Sequence, residues 1–130
     1  MIVYVDTSAA MKLLISEQES AAAAAYLVEI AASGAHLVAS MLLYTELHCA
    51  ARRRNLPFDV VNAVLAGINL VDVARSDLMY AAALPRQLRS ADAIHLAAAI
   101  RLQTDRLVAY DHGLLLVATE SGLTTASPGA

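Results

Sequence analysis

Ile2-Val3-Tyr4-Val5-Asp6-Thr7-Ser8 sets a four-residue apolar run against an acid and two hydroxyl residues. A short, uniformly apolar, β-branched run suits a strand covered on both faces, as in a parallel sheet. Asp6 closes the strand, and Thr7-Ser8 can cap a helix beginning near Ala9. The same order recurs near the other end, where Arg106–Tyr110 reads as a strand, Asp111 follows it, and His112–Ser121 reads as a helix. Between the two lie a helix from Glu17 to about Ser33 stopped by Gly34, a strand at His36–Ala39, and a helix from a Ser40 cap to Arg52-Arg53-Arg54. A helix from Pro57 to near Gly67, a strand at Leu70–Val73, and helices at Asp77–Leu84 and from Ser90 to about Gln103 complete the middle, and Leu123–Thr125 can add a fifth strand. Strands alternating with helices predict a three-layer α/β domain: a central, mostly parallel sheet of four to five strands with helices on both faces. Residues 1–125 form that domain and residues 126–130 a loose tail.

The chain has 130 residues, enough for one domain with a continuous core. Hydrophobic residues make up 58% and charged residues 16%, which excludes disorder and leaves apolar surface for a partner. A single cysteine, Cys49, excludes an internal disulfide or a cysteine-rich zinc site. The N-terminus has no basic segment and meets Asp6 after four apolar residues, unlike a signal peptide, and Ala21–Ala32 is too short for a bilayer, so a cytoplasmic location and no membrane contact are expected.

In parallel α/β sheets, ligands bind beyond the carboxyl ends of the strands, and acids stand there. Asp6 and Asp111 follow strands, Asp92 lies in a helix first turn, and Glu46 lies inside a helix. Each has a plain structural account as a turn, a cap or a dipole partner. Glu46 is the exception, because Leu42, Leu43, Cys49 and Ala50 surround it at helical spacing and offer no ion pair. It needs another partner, such as a metal or a distant arginine. Converging carboxylates repel unless a cation neutralises them, and oxygen ligands select Mg²⁺ or Mn²⁺. Such a centre suits phosphodiester hydrolysis. The formal charge of −3 is misleading for such a protein: without those four acids, eight remain against nine basic residues, a balance of +1. Arg52, Arg53 and Arg54 are then candidate contacts for backbone phosphates, or simply a solvated helix end.

Four segments carry a family resemblance: Val5-Asp6-Thr7-Ser8-Ala9, Tyr44-Thr45-Glu46-Leu47, Leu88-Arg89-Ser90-Ala91-Asp92-Ala93-Ile94-His95-Leu96-Ala97-Ala98-Ala99, and Ala109-Tyr110-Asp111-His112-Gly113-Leu114. Over residues 1–125 the chain resembles the PIN-domain ribonucleases, and more narrowly the VapC toxins of VapBC toxin–antitoxin pairs. The resemblance implies a PIN-like fold and a Mg²⁺- or Mn²⁺-dependent endoribonuclease, with Asp6, Glu46, Asp92 and Asp111 as catalytic, metal-binding carboxylates and Ser8 in support. It also implies a VapB-type antitoxin partner, an RNA substrate, a homodimer and a toxin–antitoxin hetero-oligomer. Two departures stand out: His112 replaces a common Arg or Lys, and Pro85 interrupts the helix ahead of Asp92.

Other features take plainer readings. His95 sits among Ile94, Leu96 and Ala97 and reads as a core histidine, able to bond Asp92 one turn away. His48 and Cys49 point apart on a helix, and Cys49 reads as a buried thiol. Lys12 snorkels from the first helix, and Tyr44 packs. A haloacid-dehalogenase-type phosphatase would carry an acid where Ser8 stands, and a receiver domain would need an acceptor acid after Val73, where Ala74-Arg75 follows. The five glycines are dispersed, so no phosphate loop exists. The alternative is a catalytically inactive PIN-like module that binds RNA or a partner.

Overall fold

The computed structural model describes residues 1–130. In chain order the elements are β1 (Ile2–Val5), α1 (Thr7–Leu14), α2 (Ser20–Ala32), β2 (His36–Ser40), α3 (Leu42–Arg53), α4 (Phe58–Leu65), β3 (Asn69–Val71), α5 (Arg75–Ala82), α6 (Ser90–Arg101), β4 (Arg106–Val108), α7 (His112–Glu120) and β5 (Thr125–Ala126). The five strands form one parallel sheet in the order β3-β2-β1-β4-β5. The expected three-layer α/β arrangement is present, and the sheet is wholly parallel. No helix is long and apolar enough to cross a membrane.

β1 is central because its side chains suit a position with no wet face. Val3, Tyr4 and Val5 are fully buried and share a core with Leu43, Leu47, Leu96, Leu107 and Leu114. From β1 the chain winds outward through β2 to β3, then returns to the opposite flank of β1 for β4 and β5. The reversal places the crevice of an open α/β sheet at the carboxyl ends of β1 and β4. There the backbone N–H of Asp6 donates to Val108 O at 3.0 Å, extending the strand pairing to the first acid.

The helix boundaries follow local chemistry. Gly34, at φ +101°, lets the chain leave α2 in a left-handed turn: the Gly34 N–H returns to Ala31 O and the Ala35 N–H to Ile30 O. Arg89 stands at the cap position of α6, Ser90 is the first helical residue, and Asp92 is at the third position. Of the five C-terminal residues, expected as a loose tail, Ala126, Ser127 and Pro128 contact the sheet and its flank. Ala126 belongs to β5, the Ser127 hydroxyl donates to Ala109 O at 2.6 Å, and the Tyr110 hydroxyl donates to Pro128 O at 2.7 Å. Residues after an edge strand keep the partners that the neighbouring strand offers, which composition alone does not reveal.

Candidate active site

Asp6 is 1% exposed and caps α1. Its Oδ2 accepts the Ser8 backbone N–H at 3.1 Å and the Ser8 hydroxyl at 2.6 Å, while the Ser8 hydroxyl accepts the Tyr110 N–H at 2.9 Å. Ser8 therefore locks the end of β1 to the chain leaving β4. Asp111 caps α7, its Oδ1 accepting the Leu114 N–H at 2.9 Å. Both structural accounts of these aspartates are correct, and each cap uses one carboxylate oxygen and leaves the other for different work.

Arg89 supplies the bridge to the third aspartate. Its Nε lies 3.3 Å from Asp92 Oδ2 and its Nη2 3.1 Å from Asp111 Oδ2. The Arg89 side chain is 79% exposed, so these pairs open at little cost.

Glu46 finds its missing partner in the core. His95 Nε2 lies 2.6 Å from Glu46 Oε1, and the Thr7 hydroxyl donates to the same oxygen at 2.7 Å. His95 is the core histidine expected, but its polar contacts are Tyr4, Thr7 and Glu46, the last 49 positions away, and not Asp92. Burial works to raise the Glu46 carboxyl, and the donations from His95 and Thr7 outweigh it and hold the group below its ordinary value.

Asp6, Thr7, Ser8, Met11, Glu46, Arg89, Asp92 and Asp111 line one cavity of about 290 Å³. All four acids predicted from the sequence meet there. Burial, with the negative charges of Asp6 and Asp111 adding to it, pushes the Asp92 carboxyl up, against the pull of Arg89. Asp6 Oδ1 is buried without a hydrogen-bond partner, the one unsatisfied carboxylate oxygen of the core. An orphaned carboxylate oxygen facing like charges fits a hard cation in chemistry. As the side chains stand, no three converge as ligands, and Arg89 draws Asp92 and Asp111 to itself.

The PIN domain family matches this chain over residues 3–120. The chain belongs to the PIN-domain family. Ribonuclease VapC47 of Mycobacterium tuberculosis (strain CDC 1551 / Oshkosh) is 37% identical to this PIN domain over 134 residues, spanning 99% of this chain and 98% of that protein. Two crystal structures share its fold. VapBC2 from Rickettsia felis, bound to a DNA fragment from their promoter, matches at a TM-score of 0.76 with 14% identity, over 97% of this chain and 98% of that one. Mycobacterium tuberculosis VapC20, a sarcin-ricin loop cleaving toxin, matches at a TM-score of 0.73 with 17% identity, over 97% of this chain and 99% of that one.

The three arginines of this PIN domain do not line one hollow. Arg53 and Arg54 line a groove of about 440 Å³ that shares Thr7, Met11 and Glu46 with the acid cavity. Arg52 faces a different hollow, with His48, Asn55 and Phe58. Cys49 is exposed in the groove, not buried as expected, because α3 turns Leu43, Leu47, Ala50 and Ala51 inward. Tyr44 packs on His48, which stacks on Phe58 at 4.3 Å, and Lys12 reaches Glu19 at 2.8 Å.

Two residues of the site, Arg89 and Thr7, were missed by sequence reasoning. Arg89 stands in the quoted motif, and a cation three residues before Asp92 was the available signal. Thr7 read only as a cap, and nothing local ties it to Glu46.

Proposed function

We propose that this PIN domain is a Mg²⁺- or Mn²⁺-dependent endoribonuclease and the toxin of a VapBC-type toxin–antitoxin pair. The observation that carries the reading is the meeting in one cavity of four acids, two capping α1 and α7 and two within α3 and α6, with Asp6 Oδ1 unsatisfied. The whole-length similarity to a VapC ribonuclease supports it.

In this reading Asp6 and Asp92 are the principal ligands, Glu46 ligates or orients water, and Asp111 completes the centre. When bound, the cation supplies an activated water and stabilises charge gathering on the phosphoryl oxygens. The chain does the rest. Ser8 fixes which Asp6 oxygen is engaged and leaves Oδ1 for the centre. Arg53 and Arg54 hold phosphates of the strand leaving the cavity, and Arg52 stands aside. A single-stranded loop fits best, since its backbone is free to follow a groove.

On α5 the exposed Leu78 borders a hollow of about 440 Å³ that reaches Leu88 and Ile94, and Met79 and Tyr80 beside it are exposed as well. We assign this surface to protein partners, the VapB-type antitoxin or a second copy of the chain, in line with the excess of apolar residues. A cytoplasmic location goes with an RNA target.

The test is cleavage of total cellular RNA by the purified, antitoxin-free protein with Mn²⁺ or Mg²⁺, with EDTA, and with Asp92→Asn. Discrete metal-dependent cuts absent from the variant are expected, and end-mapping then identifies the RNA. No cutting by a folded wild-type protein in either metal rejects the nuclease in favour of a binding module.

A further inference from the structure

His95 is fully buried, yet both ring nitrogens meet polar partners. Nδ1 lies 2.7 Å from Tyr4 Oη, and Nε2 lies 2.6 Å from Glu46 Oε1 and 3.0 Å from Thr7 Oγ1. Tyr4 Oη also accepts the Ser40 backbone N–H at 2.9 Å. These contacts fix the protons. An ionised carboxylate only accepts, so His95 Nε2 carries a hydrogen. Burial pushes the Tyr4 hydroxyl far above its ordinary value, so it keeps its proton, and with Ser40 on one lone pair that proton goes to His95 Nδ1. The donations run one way, from Ser40 through Tyr4 and His95 to Glu46. Thr7 adds a second hydrogen on Oε1. Both donations to Glu46 land on Oε1, and the side chain keeps 27% exposure in the acid cavity.

We propose that His95 is a positioning residue: held by Tyr4 with its Nε2–H toward the acid cavity, it pins Glu46 Oε1 together with Thr7 and leaves Oε2 as the working oxygen of that cavity. The role in cleavage rests on the nuclease reading above; the proton arrangement does not. A histidine with a bare Nδ1 and a rigid Tyr4 behind it aims a carboxylate on a helix that would otherwise swing through several rotamers.

Two measurements on the full chain test this. Long-range ¹H–¹⁵N spectra, with His95 assigned by comparison with His95→Gln, are expected to show a bare Nδ1 and a slowly exchanging Nε2–H that shifts in Glu46→Gln. A bare Nε2, or a signal unmoved in folded Glu46→Gln, overturns the arrangement, and the wild-type spectrum gives the tautomer even if substitutions at His95 unfold the protein. RNA cleavage kinetics then test the role. His95→Leu is expected to lower kcat roughly 10–100-fold with KM for RNA within about twofold, whereas His95→Gln, which keeps an N–H toward Glu46, restores most of the loss. Thr7→Val is expected to act in the same direction. Wild-type kcat in folded His95→Leu, or equal losses in the Gln and Leu variants, overturns the positioning role. An inert wild-type protein with the spectral signature intact rejects the nuclease and leaves the His95–Glu46 lock standing.

Discussion

Arg89 Nη2 and Asp111 Oδ2 lie 3.1 Å apart, joining the N-terminal ends of α6 and α7 across the mouth of the acid cavity. Through Nε the same guanidinium reaches Asp92. The chain thus holds a cation of its own against two of the four acids, on a mostly exposed side chain that is free to leave. Removing it leaves those carboxylates uncompensated, which strengthens their demand for a metal. In Arg89→Ala, the Mn²⁺ concentration giving half of the maximal rise in Tm is expected to fall severalfold. An unchanged midpoint would mean that the guanidinium does not compete.

Asp92 gives a pH signature to the metal-free protein. Its folded carboxyl is raised, first by burial and then by Asp6 and Asp111. A raised folded value means that the protonated form is favoured in the native state. The contribution is therefore full below the unfolded value and lost as pH rises through the folded one. Asp92→Asn lacks this penalty, so it is expected to be more stable than wild type near neutral pH, with the gap closing toward about pH 3. Urea titrations in EDTA across that range check it, and a gap independent of pH contradicts the assignment.

The arginines separate by position. Arg53→Ala and Arg54→Ala are each expected to weaken RNA binding and reduce the slope of log affinity against log salt by up to about one. Arg52→Ala, on the far hollow, is expected to leave both within error. Filter binding at several salt concentrations, with Asp92→Asn as background to prevent cleavage, reads the difference. Equal losses from all three would indicate a diffuse basic field and no defined path.

Away from the cavity, Asp77 is 1% exposed and takes Arg101 Nε at 2.7 Å and Nη2 at 3.0 Å, fastening α5 to α6. Burial alone would raise the Asp77 carboxyl, but Arg101 and the Ala74 N–H hold it low. Arg101→Ala leaves a buried carboxylate without its counter-ion and is expected to cost about 3 kcal/mol in urea unfolding. A lowered folded value places this stabilisation above the unfolded value and removes it as pH falls through the folded one, so the deficit should shrink in acid. A deficit below about 0.5 kcal/mol at neutral pH would show that the pair contributes nothing.

What the sequence made legible was local. A strand, an acid and a cap within seven residues predict both the parallel sheet and the place of Asp6, and the repeat at Asp111 predicts the crevice. Glu46 was legible as an anomaly, a charge with no helical neighbour to answer it, although its partner was not. His95 lies 49 positions away and Arg89 lies 22 from Asp111, and no periodicity encodes pairs that only a closed sheet brings together. Cys49 was misread as buried because its neighbours are apolar, although the spacing of Leu43, Leu47 and Ala50 already pointed the thiol outward. Asp77 read as part of a helix, and its buried pairing with Arg101 had no local sign.

Three of the four acids also start helices: Asp6 and Asp111 as caps and Asp92 at the third position of α6. In the proposed nuclease, chemistry and folding are therefore written on the same atoms. Replacing a capping aspartate by alanine discards about 1 kcal/mol of stability along with the charge, whereas asparagine caps as well as aspartate. The least damaging route by which such a protein can fall silent is a one-atom change from carboxylate to amide, which leaves a sound fold with an extinguished centre. A descendant that has lost its reaction will look intact by every measure of shape, and the difference will stand in the oxygen count at positions 6, 92 and 111.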